Sequence, residues 1–342
     1  MAAMARDPVL MLTEAGLYCP AGDFHIDPWR PVPRALITHG HADHARPGSR
    51  AYLATDGSAP VIRHRLGRIR METLAYGVPR RIGGAEVSFH PAGHVPGAAQ
   101  IRVEVAGEVW VVTGDYKLVD DGLSTPWEPV ACHTLITECT FGLPVFTWPS
   151  QAQVIAEITQ WVAEAAAAGR TPVLGVYALG KAQRLIAALA HLAPVLTHGA
   201  IEATNRVLRD QGIALPPTQP VTQDPDLAAH RGRLVMAPPS ALGTPWLRRF
   251  GPVSTGFASG WMRLRGIRRR RGADRGFVIS DHADWPGLNA AVRASGAERV
   301  LATHGYTEIF ARWLGEQGYA AEAIATRFAG EAAEDEAEET GA

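Results

Sequence analysis

Side chains that can bind metal ions are concentrated in one short segment, LITHGHADHARPG, directly after an apolar stretch. Within six positions this segment holds His39, His41, Asp43 and His44. Side chains at positions i and i+2 of an extended chain point the same way, so His39 and His41 could bind one ion. Asp43 and His44, at the entry to a predicted helix, could face a second ion. A single histidine after an apolar strand is usually packed core, but four such residues together indicate a metal site.

Three more residues of the same type follow other predicted strands: His94, Asp115 and His304. Each alone has an ordinary explanation, His94 as a loop histidine and Asp115, after Gly114, as a turn residue. Together, the seven residues are about what two zinc ions need if one carboxylate bridges and water completes the coordination. Two adjacent cations can activate a water molecule for hydrolysis.

Hydrophobic periodicity predicts the elements that must position these residues, and they make an α/β protein. Strands 85–90, 99–105 and 108–113 should form an antiparallel meander, and the strand and helix alternation from 171 to 210 predicts a parallel sheet. The predicted elements, in chain order, are strands 33–38, 50–54, 85–90, 99–105, 108–113 and 134–142, a helix over about 154–165, strand 171–179, helix 180–192, strand 193–199, helix 200–210, strands 233–239 and 276–280, a helix over about 286–297, and strand 299–305.

Composition is that of a soluble globular protein: 342 residues, 46% of them hydrophobic and 20% charged. This excludes disorder as the dominant state. No run of about eighteen apolar residues predicts a membrane span, and no signal peptide is predicted, so we expect a cytoplasmic protein without a membrane partner. The three cysteines (Cys19, Cys132 and Cys139) have no CxxC spacing, which argues against a disulfide framework and a thiolate zinc site.

Charge is unevenly distributed along the chain. The segment 331–342, EAAEDEAEETGA, is acidic and is predicted to be a disordered tail. Residues 247–275 hold nine arginines against Asp274 alone, which indicates either a polyanion-binding surface or a solvated loop. Nearby, Trp261 is either a residue that stacks on a nucleobase or a buried one.

In this chain HxHxDH is followed by AGHxxG, GDY, ECTFG, SDHAD and THG, and residues 177–185 read YALGKAQRL. These motifs, from about residue 17 to 310, resemble those of the β-CASP nucleases of the metallo-β-lactamase fold, and YALGKAQRL resembles a segment typical of the β-CASP insertion. Three stretches, GLYCPAGDFHIDPWRP, SGWMRLRG and SDHADWPGL, resemble more closely the bacterial DNA ligase-associated exonucleases, also described as related to mRNA 3'-end processing factors.

The resemblance implies a role for each residue. His39, His41 and His94 would hold one zinc ion, Asp43, His44 and His304 the other, and Asp115 would bridge both; manganese is the alternative metal. The catalytic residues would be Asp43, Glu138 and His282, with His282 as general acid and Glu138 orienting it. His282 could instead simply begin a helix, because SDHAD contains cap-forming residues. Nucleic acid would contact Lys181, Arg263, Arg265, Arg268, Arg269, Arg270 and Arg271.

The resemblance also implies an αββα sandwich with an inserted α/β domain. Residues 1–145 and 273–330 would form the two parts of the metallo-β-lactamase domain, and 146–272 the β-CASP-like insertion. We predict a two-zinc exonuclease acting on DNA in repair, associated with an ATP-dependent DNA ligase and a helicase. His304 is typical of RNA-processing members, which keeps a ribonuclease open. The same fold would also suit a small-molecule metallo-hydrolase or a non-catalytic platform for a partner nuclease.

Overall fold

The structure, a computed structural model, describes residues 8–221, 231–266 and 272–326. The acidic segment 331–342 and Arg268 to Arg271 therefore lie outside the described residues. The strands are β1 Met11–Thr13, β2 Gly16–Cys19, β3 Phe24–Ile26, β4 Ala35–Leu36, β5 Tyr52–Thr55, β6 Met71–Leu74, β7 Arg80–Ile82, β8 Ala85–Pro91, β9 Ala99–Val105, β10 Glu108–Val112, β11 Thr134–Cys139, β12 Thr171–Gly175, β13 Val195–Thr197, β14 Thr218–Pro220, β15 Val235–Ala237, β16 Val253–Ala258, β17 Arg275–Phe277, β18 Arg299–Gly305 and β19 Ala320–Ala323. The helices are α1 Ala59–Leu66, α2 Gln151–Ala167, α3 Lys181–Ala188, α4 Gly199–Asp210, α5 Trp285–Ser295 and α6 Thr307–Glu316.

The strands form three sheets, which confirms the predicted α/β class. The first has the order β1-β2-β3-β4-β5-β6, the second β19-β18-β11-β10-β9-β8-β7, and the third β14-β13-β15-β12-β16-β17. The predicted meander is present, because β8, β9 and β10 pair antiparallel in sequence. The predicted parallel sheet is also present, since β12 and β13 both pair parallel with β15.

The first two sheets pack face to face, with helices outside. Phe24 and Leu36 of the first sheet share a core with Phe89 and Ile101 of the second. On the far face of the first sheet Ile62 of α1 joins the core, and on the far face of the second sheet α5 and α6 contribute Leu288 and Phe310 among others. These four layers are the predicted αββα sandwich.

The third sheet has a core of its own. Val154, Trp161, Leu185 and Ile201, from α2, α3 and α4, pack with Leu174 of β12. Helix α2 forms because its apolar residues recur on one face, and Ser150 caps it by accepting a hydrogen bond from the Gln153 N–H at 3.3 Å. The last strand of this sheet, β17, pairs with β16 although it lies past residue 272, the predicted end of the insertion. The third sheet therefore extends beyond that predicted boundary.

One edge of the second sheet gathers the ends of three strands. β10 pairs parallel with β11, and β11 pairs parallel with β18, so their carboxyl ends lie side by side. Asp115 follows β10, Glu138 lies near the end of β11, and His304 lies near the end of β18. The first sheet delivers the segment after β4 to the same place, which brings His39 there. The fold thus brings together residues far apart in sequence.

Candidate metal centre

The segment after β4 carries the first four candidate ligands. The extended chain continues past Leu36, since the Ile37 N–H donates to the Leu53 carbonyl at 2.9 Å, and it then bends at Thr38 and Gly40. A further turn is closed by the Ala45 N–H, which donates to the His41 carbonyl at 2.9 Å. All four side chains are buried, each 8% exposed or less. They therefore face the interior rather than solvent.

One group of candidate ligands consists of His39, His41, His94 and Asp115. One nitrogen or oxygen atom of each lies within 4.8 Å of the others. His41 Nδ1 lies 3.2 Å from His39 Nε2 and 3.1 Å from His94 Nε2, and Asp115 Oδ2 lies 3.5 Å from His39 Nε2. Three imidazoles and one carboxylate around a common point make a donor set that zinc prefers.

A second group consists of Asp43, His44 and His304, and it adjoins the first through Asp115. Asp115 Oδ2 lies 3.4 Å from His44 Nε2, and its Oδ1 lies 3.2 Å from His304 Nδ1. Asp43 Oδ2 lies 3.6 Å from His44 Nε2 and 3.8 Å from His304 Nε2. The two oxygens of Asp115 therefore reach both groups, which is the geometry that a bridging carboxylate needs.

Close backbone approach makes this convergence possible. Gly114, just before Asp115, has φ +55°, and a Cβ there would lie 2.7 Å from the Thr38 side chain. His304 itself has φ +63°, a conformation that non-glycine residues rarely adopt. Backbone strain of this kind persists where the surrounding structure holds it, and it is common at functional sites.

Protonation in the two groups follows from burial and charge. Burial, with His282 and His41 nearby, lowers the pKa of His94 to about 3, and burial also lowers that of His39 well below its usual value. Burial alone would lower the pKa of His44, but the carboxylates of Asp43, Asp115 and Asp27 raise it well above its usual value. His39 and His94 are therefore neutral, the form that binds a metal.

The chemistry of Asp43 tests whether these residues fit a metal ion. Its side chain is 8% exposed, and neither carboxylate oxygen accepts a hydrogen bond from any residue that the structure describes. A buried carboxylate without hydrogen-bond donors is costly unless a cation neutralises it. The nitrogen and oxygen donors of the seven residues match those of two-zinc sites, so these residues fit a pair of bound metal ions.

Glu138 and His282 form a buried pair beside the two groups. Glu138 Oε1 lies 2.8 Å from His282 Nδ1, and both side chains are 2% exposed. Glu138 also accepts hydrogen bonds from the main-chain N–H groups of Thr140 at 2.9 Å and Tyr116 at 3.4 Å. One atom each of Asp115, Glu138 and His282 lies within 4.8 Å of the others. The cap of α5 is Asp284, which accepts from the Gly287 N–H at 3.0 Å, so His282 does not serve as that cap.

Several known proteins are similar to this chain. A protein named "Probable DNA ligase" from Opitutus terrae is 35% identical over 314 residues, which are 90% of this chain and 30% of that protein. Proteins named "Endoribonuclease YSH1" from Kluyveromyces lactis and Saccharomyces cerevisiae are 34% identical over 119 residues, 34% of this chain and 15% of theirs. The chain thus spans less than a third of the length of these curated relatives.

A crystal structure of a protein of unknown function from Enterococcus faecalis shares the fold. It matches with a TM-score of 0.54 at 11% sequence identity, over 86% of this chain and 79% of that one. No protein-family model matches the chain. The sandwich, the ligand-type residues at its edge and the relatives support the resemblance to the β-CASP nucleases of the metallo-β-lactamase fold.

Other residues of this chain orient the candidate ligands. Asp27 Oδ2 lies 2.8 Å from His44 Nδ1, the Asp281 carbonyl lies 2.8 Å from His94 Nδ1, and Thr38 Oγ1 lies 3.0 Å from His39 Nδ1. Such contacts fix the ring orientation and leave the other nitrogen for a metal. The sequence motifs did not single out Asp27 or Asp281.

The segment after β12 lies against the metal-ligand segment. His41 Nε2 is 3.3 Å from the Leu179 carbonyl. A cavity of about 90 Å³ opens here, lined by Gly40, His41, Arg65, Tyr177 and Leu179 among others. Part of the β-CASP-like sequence thus borders the candidate site.

The predicted nucleic-acid contacts differ in their exposure. Arg263 and Arg265 are exposed, and Arg263 donates to the Val145 carbonyl and Thr147 Oγ1, both at 3.2 Å. Lys181 is 1% exposed, with its ammonium 4.4 Å from the centre of the Tyr177 ring. A phosphate contact for each of these residues stays a prediction. Within the described residues no helix is long and apolar enough to cross a membrane.

Proposed function

We propose that this chain is a two-zinc exonuclease that hydrolyses phosphodiester bonds in DNA, acting in DNA repair with a DNA ligase. The observation that carries the proposal is that Asp115 lies close to residues of both groups of buried ligand-type side chains, with the Glu138–His282 pair beside them. The name "Probable DNA ligase" of a relative that matches 90% of the chain supports the association with ligation.

The two ions would be held by the seven residues of the two groups. His39, His41 and His94 would bind one ion, Asp43, His44 and His304 the other, and Asp115 both. When bound, two adjacent cations lower the pKa of a water molecule to near neutral and stabilise the negative charge that builds up on the phosphoryl oxygens. Zinc is the metal favoured by this donor set, and manganese is the alternative.

His282 would give a proton to the oxygen that leaves the phosphorus. A histidine can carry this proton near neutral pH, and its transfer avoids expelling a free alkoxide. Glu138 fixes the ring through its 2.8 Å contact with Nδ1 and stabilises the positive charge of the protonated form. The main-chain donors of Thr140 and Tyr116 hold the Glu138 carboxylate in place, so the pair keeps its geometry during the reaction.

The polypeptide from 146 to 272 would form an inserted domain over the site, and nucleic acid would lie in the cleft between the two domains. The contact of His41 with the Leu179 carbonyl supports this arrangement. Arg263 and Arg265 are exposed and could meet phosphates there, as could Arg268 to Arg271, which lie outside the described residues.

A second candidate function is RNA cleavage. His304 lies within the second ligand group, and histidine at this position resembles the RNA-processing members. Relatives named "Endoribonuclease YSH1" match a third of the chain. An endoribonuclease would use the same ions and the same acid.

Digestion of end-labelled single- and double-stranded DNA and RNA by the zinc-loaded protein tests the proposal. We expect stepwise shortening of DNA that stops when zinc is removed by a chelator, together with about two zinc ions per chain. Internal cleavage of RNA alone would favour the endoribonuclease. If the zinc-loaded protein hydrolyses none of these substrates, a small-molecule hydrolase is favoured. If the purified protein binds no zinc, a non-catalytic platform is favoured.

A further inference from the structure

Aromatic rings are packed beside the Glu138–His282 pair. The Phe141 ring centre lies 5.9 Å from that of His282 and 4.9 Å from that of Trp261. Phe146 lies 5.6 Å from Trp261 and 5.9 Å from Tyr306, and the last two rings are 6.4 Å apart. Phe141 and Phe146 are fully buried, whereas Trp261 and Tyr306 are half-buried. We name Trp261 and Tyr306 the aromatic platform.

The local backbone holds the aromatic platform in place. Trp261 lies in a short 3₁₀ turn, Gly260–Arg263, whose first N–H groups are capped by Ser259: Oγ accepts from the Trp261 N–H at 3.2 Å. A Cβ at Gly260 would lie 2.5 Å from the Phe141 ring, so glycine allows the turn to close on that ring. The Tyr306 N–H donates to the Cys139 carbonyl at 3.1 Å, which ties Tyr306 to the end of β11.

Two buried polar atoms near the platform lack partners in the part of the chain that the structure describes. They are the indole N–H of Trp261 and the hydroxyl of Thr140, whose side chain is 1% exposed. A buried polar group without a partner is destabilising, and polar ligand atoms could satisfy it.

The surroundings of the platform carry positive charge. Arg263 is two residues from Trp261, is exposed, and is held by the Val145 carbonyl and Thr147 Oγ1. A fixed guanidinium next to half-buried rings is the combination that single-stranded nucleic acid binds, with phosphates on the cation and bases on the rings.

We propose that Trp261 and Tyr306 bind one unpaired nucleobase, that of the nucleotide on the leaving-group side of the scissile phosphate. This inference rests on the proposed nuclease function and specifies its substrate. His282 would protonate the leaving oxygen, so the nucleotide bearing that oxygen lies on the His282 side, where the Phe141 ring packs against both His282 and Trp261. The base must leave a duplex to reach the platform, so the substrate is unpaired at that nucleotide.

Single-stranded oligonucleotides that lack one base test the platform. A single abasic nucleotide is placed in turn at each position near the end that is digested, and kcat/KM is measured for zinc-loaded wild type, Trp261→Ala, Trp261→Phe and Tyr306→Leu. Trp246→Ala is the matched control, because Trp246 is also half-buried but packs on His198 and Phe250. At one position we expect the missing base to reduce wild-type kcat/KM at least about fivefold.

At that position the missing base should make little difference to Trp261→Ala, reduce kcat/KM of Tyr306→Leu less than in wild type, and retain most of its effect in Trp261→Phe and Trp246→Ala. An equal abasic effect in wild type and Trp261→Ala would overturn the proposal. If Trp261→Ala does not fold, an undiminished effect in Tyr306→Leu overturns it instead.

A binding titration separates this proposal from the proposed nuclease function. Strands carrying fluorescent 2-aminopurine at the same position are titrated with zinc-loaded protein, and stacking on the platform quenches the fluorescence without any hydrolysis. Quenching by wild type that Trp261→Ala lacks supports the platform even if no strand is cut, an outcome that would refute only the nuclease. Equal quenching by both proteins, or no quenching, would refute the platform while leaving the nuclease to its own test.

Discussion

Replacement of Asp27 by asparagine should weaken one of the two proposed zinc ions. The Asp27 carboxylate accepts from the Thr38 N–H at 2.8 Å and from the Thr38 hydroxyl at 2.6 Å, and it contacts His44 Nδ1 at 2.8 Å. The side chain is 2% exposed, so water does not replace these contacts. With Nδ1 held by Asp27, His44 presents Nε2 to Asp43 and Asp115.

Asparagine replaces one carboxylate oxygen of Asp27 by an NH2 group, which only donates. If the NH2 faces His44, Nδ1 must accept, and the proton moves to Nε2, the nitrogen that would bind the metal. If the NH2 instead faces the main-chain N–H of Thr38, two donors oppose each other. Loss of one hydrogen bond to a charged group costs about 1.5–3 kcal/mol, or roughly ten- to a hundredfold in affinity. Removal of a group that orients a metal ligand has effects of the same size.

Competition with a coloured chelator measures the affinity of each ion. We expect the ion held by Asp43, His44 and His304 to bind about ten- to a hundredfold more weakly in Asp27→Asn, with the other ion less affected. Asp23→Asn is the control, because Asp23 also has a positive φ, 48° against 43° for Asp27, but is exposed. Wild-type affinity for both ions in folded Asp27→Asn would refute the orienting role of Asp27.

Three further variants test the site and the arginine run. Asp115→Asn should abolish hydrolysis, because it removes the charge that both ions share; substantial activity at saturating zinc would place the bridge elsewhere. His282→Ala should keep two zinc ions per chain and slow turnover by about a hundredfold or more, and loss of zinc would make His282 a ligand. Replacing Arg268 to Arg271 with glutamine should weaken DNA binding and flatten its dependence on salt; an unchanged slope of affinity against salt would make the run an ordinary loop.

Long apolar patterns made part of the fold predictable from the sequence. Strand β9 begins and ends where the alternation predicts, and α4 differs from its prediction by one residue. The short strands β1, β2 and β3 were missed because three or four residues carry too few positions to reveal a period of two. Helix α6 was missed although its sequence carried a signal, since Phe310 and Leu314 recur at helical spacing and are both buried.

The location of the candidate site was predictable for a topological reason. Ligand-type residues stood at strand ends, and parallel pairing of β10, β11 and β18 places those ends at one edge. The high density of histidine and aspartate after β4 then indicated that the metal site lies at this edge. The roles of the seven residues in metal binding, and of Glu138 and His282 in proton transfer, stay predictions for the variants above to test.

The residues that orient the candidate ligands were beyond the reach of sequence patterns for a physical reason. His94 is held by the carbonyl of Asp281, and every residue has such a carbonyl, so no residue type marks the contact. Asp27 acts through a side chain, but it reaches His44 from a neighbouring strand end at φ +43°, which only the folded backbone reveals. Side chains that could bind metal are visible in the sequence because their type is rare, whereas the groups that aim them depend on geometry. Variants at Asp27 therefore test the part of the site that only the structure supplies.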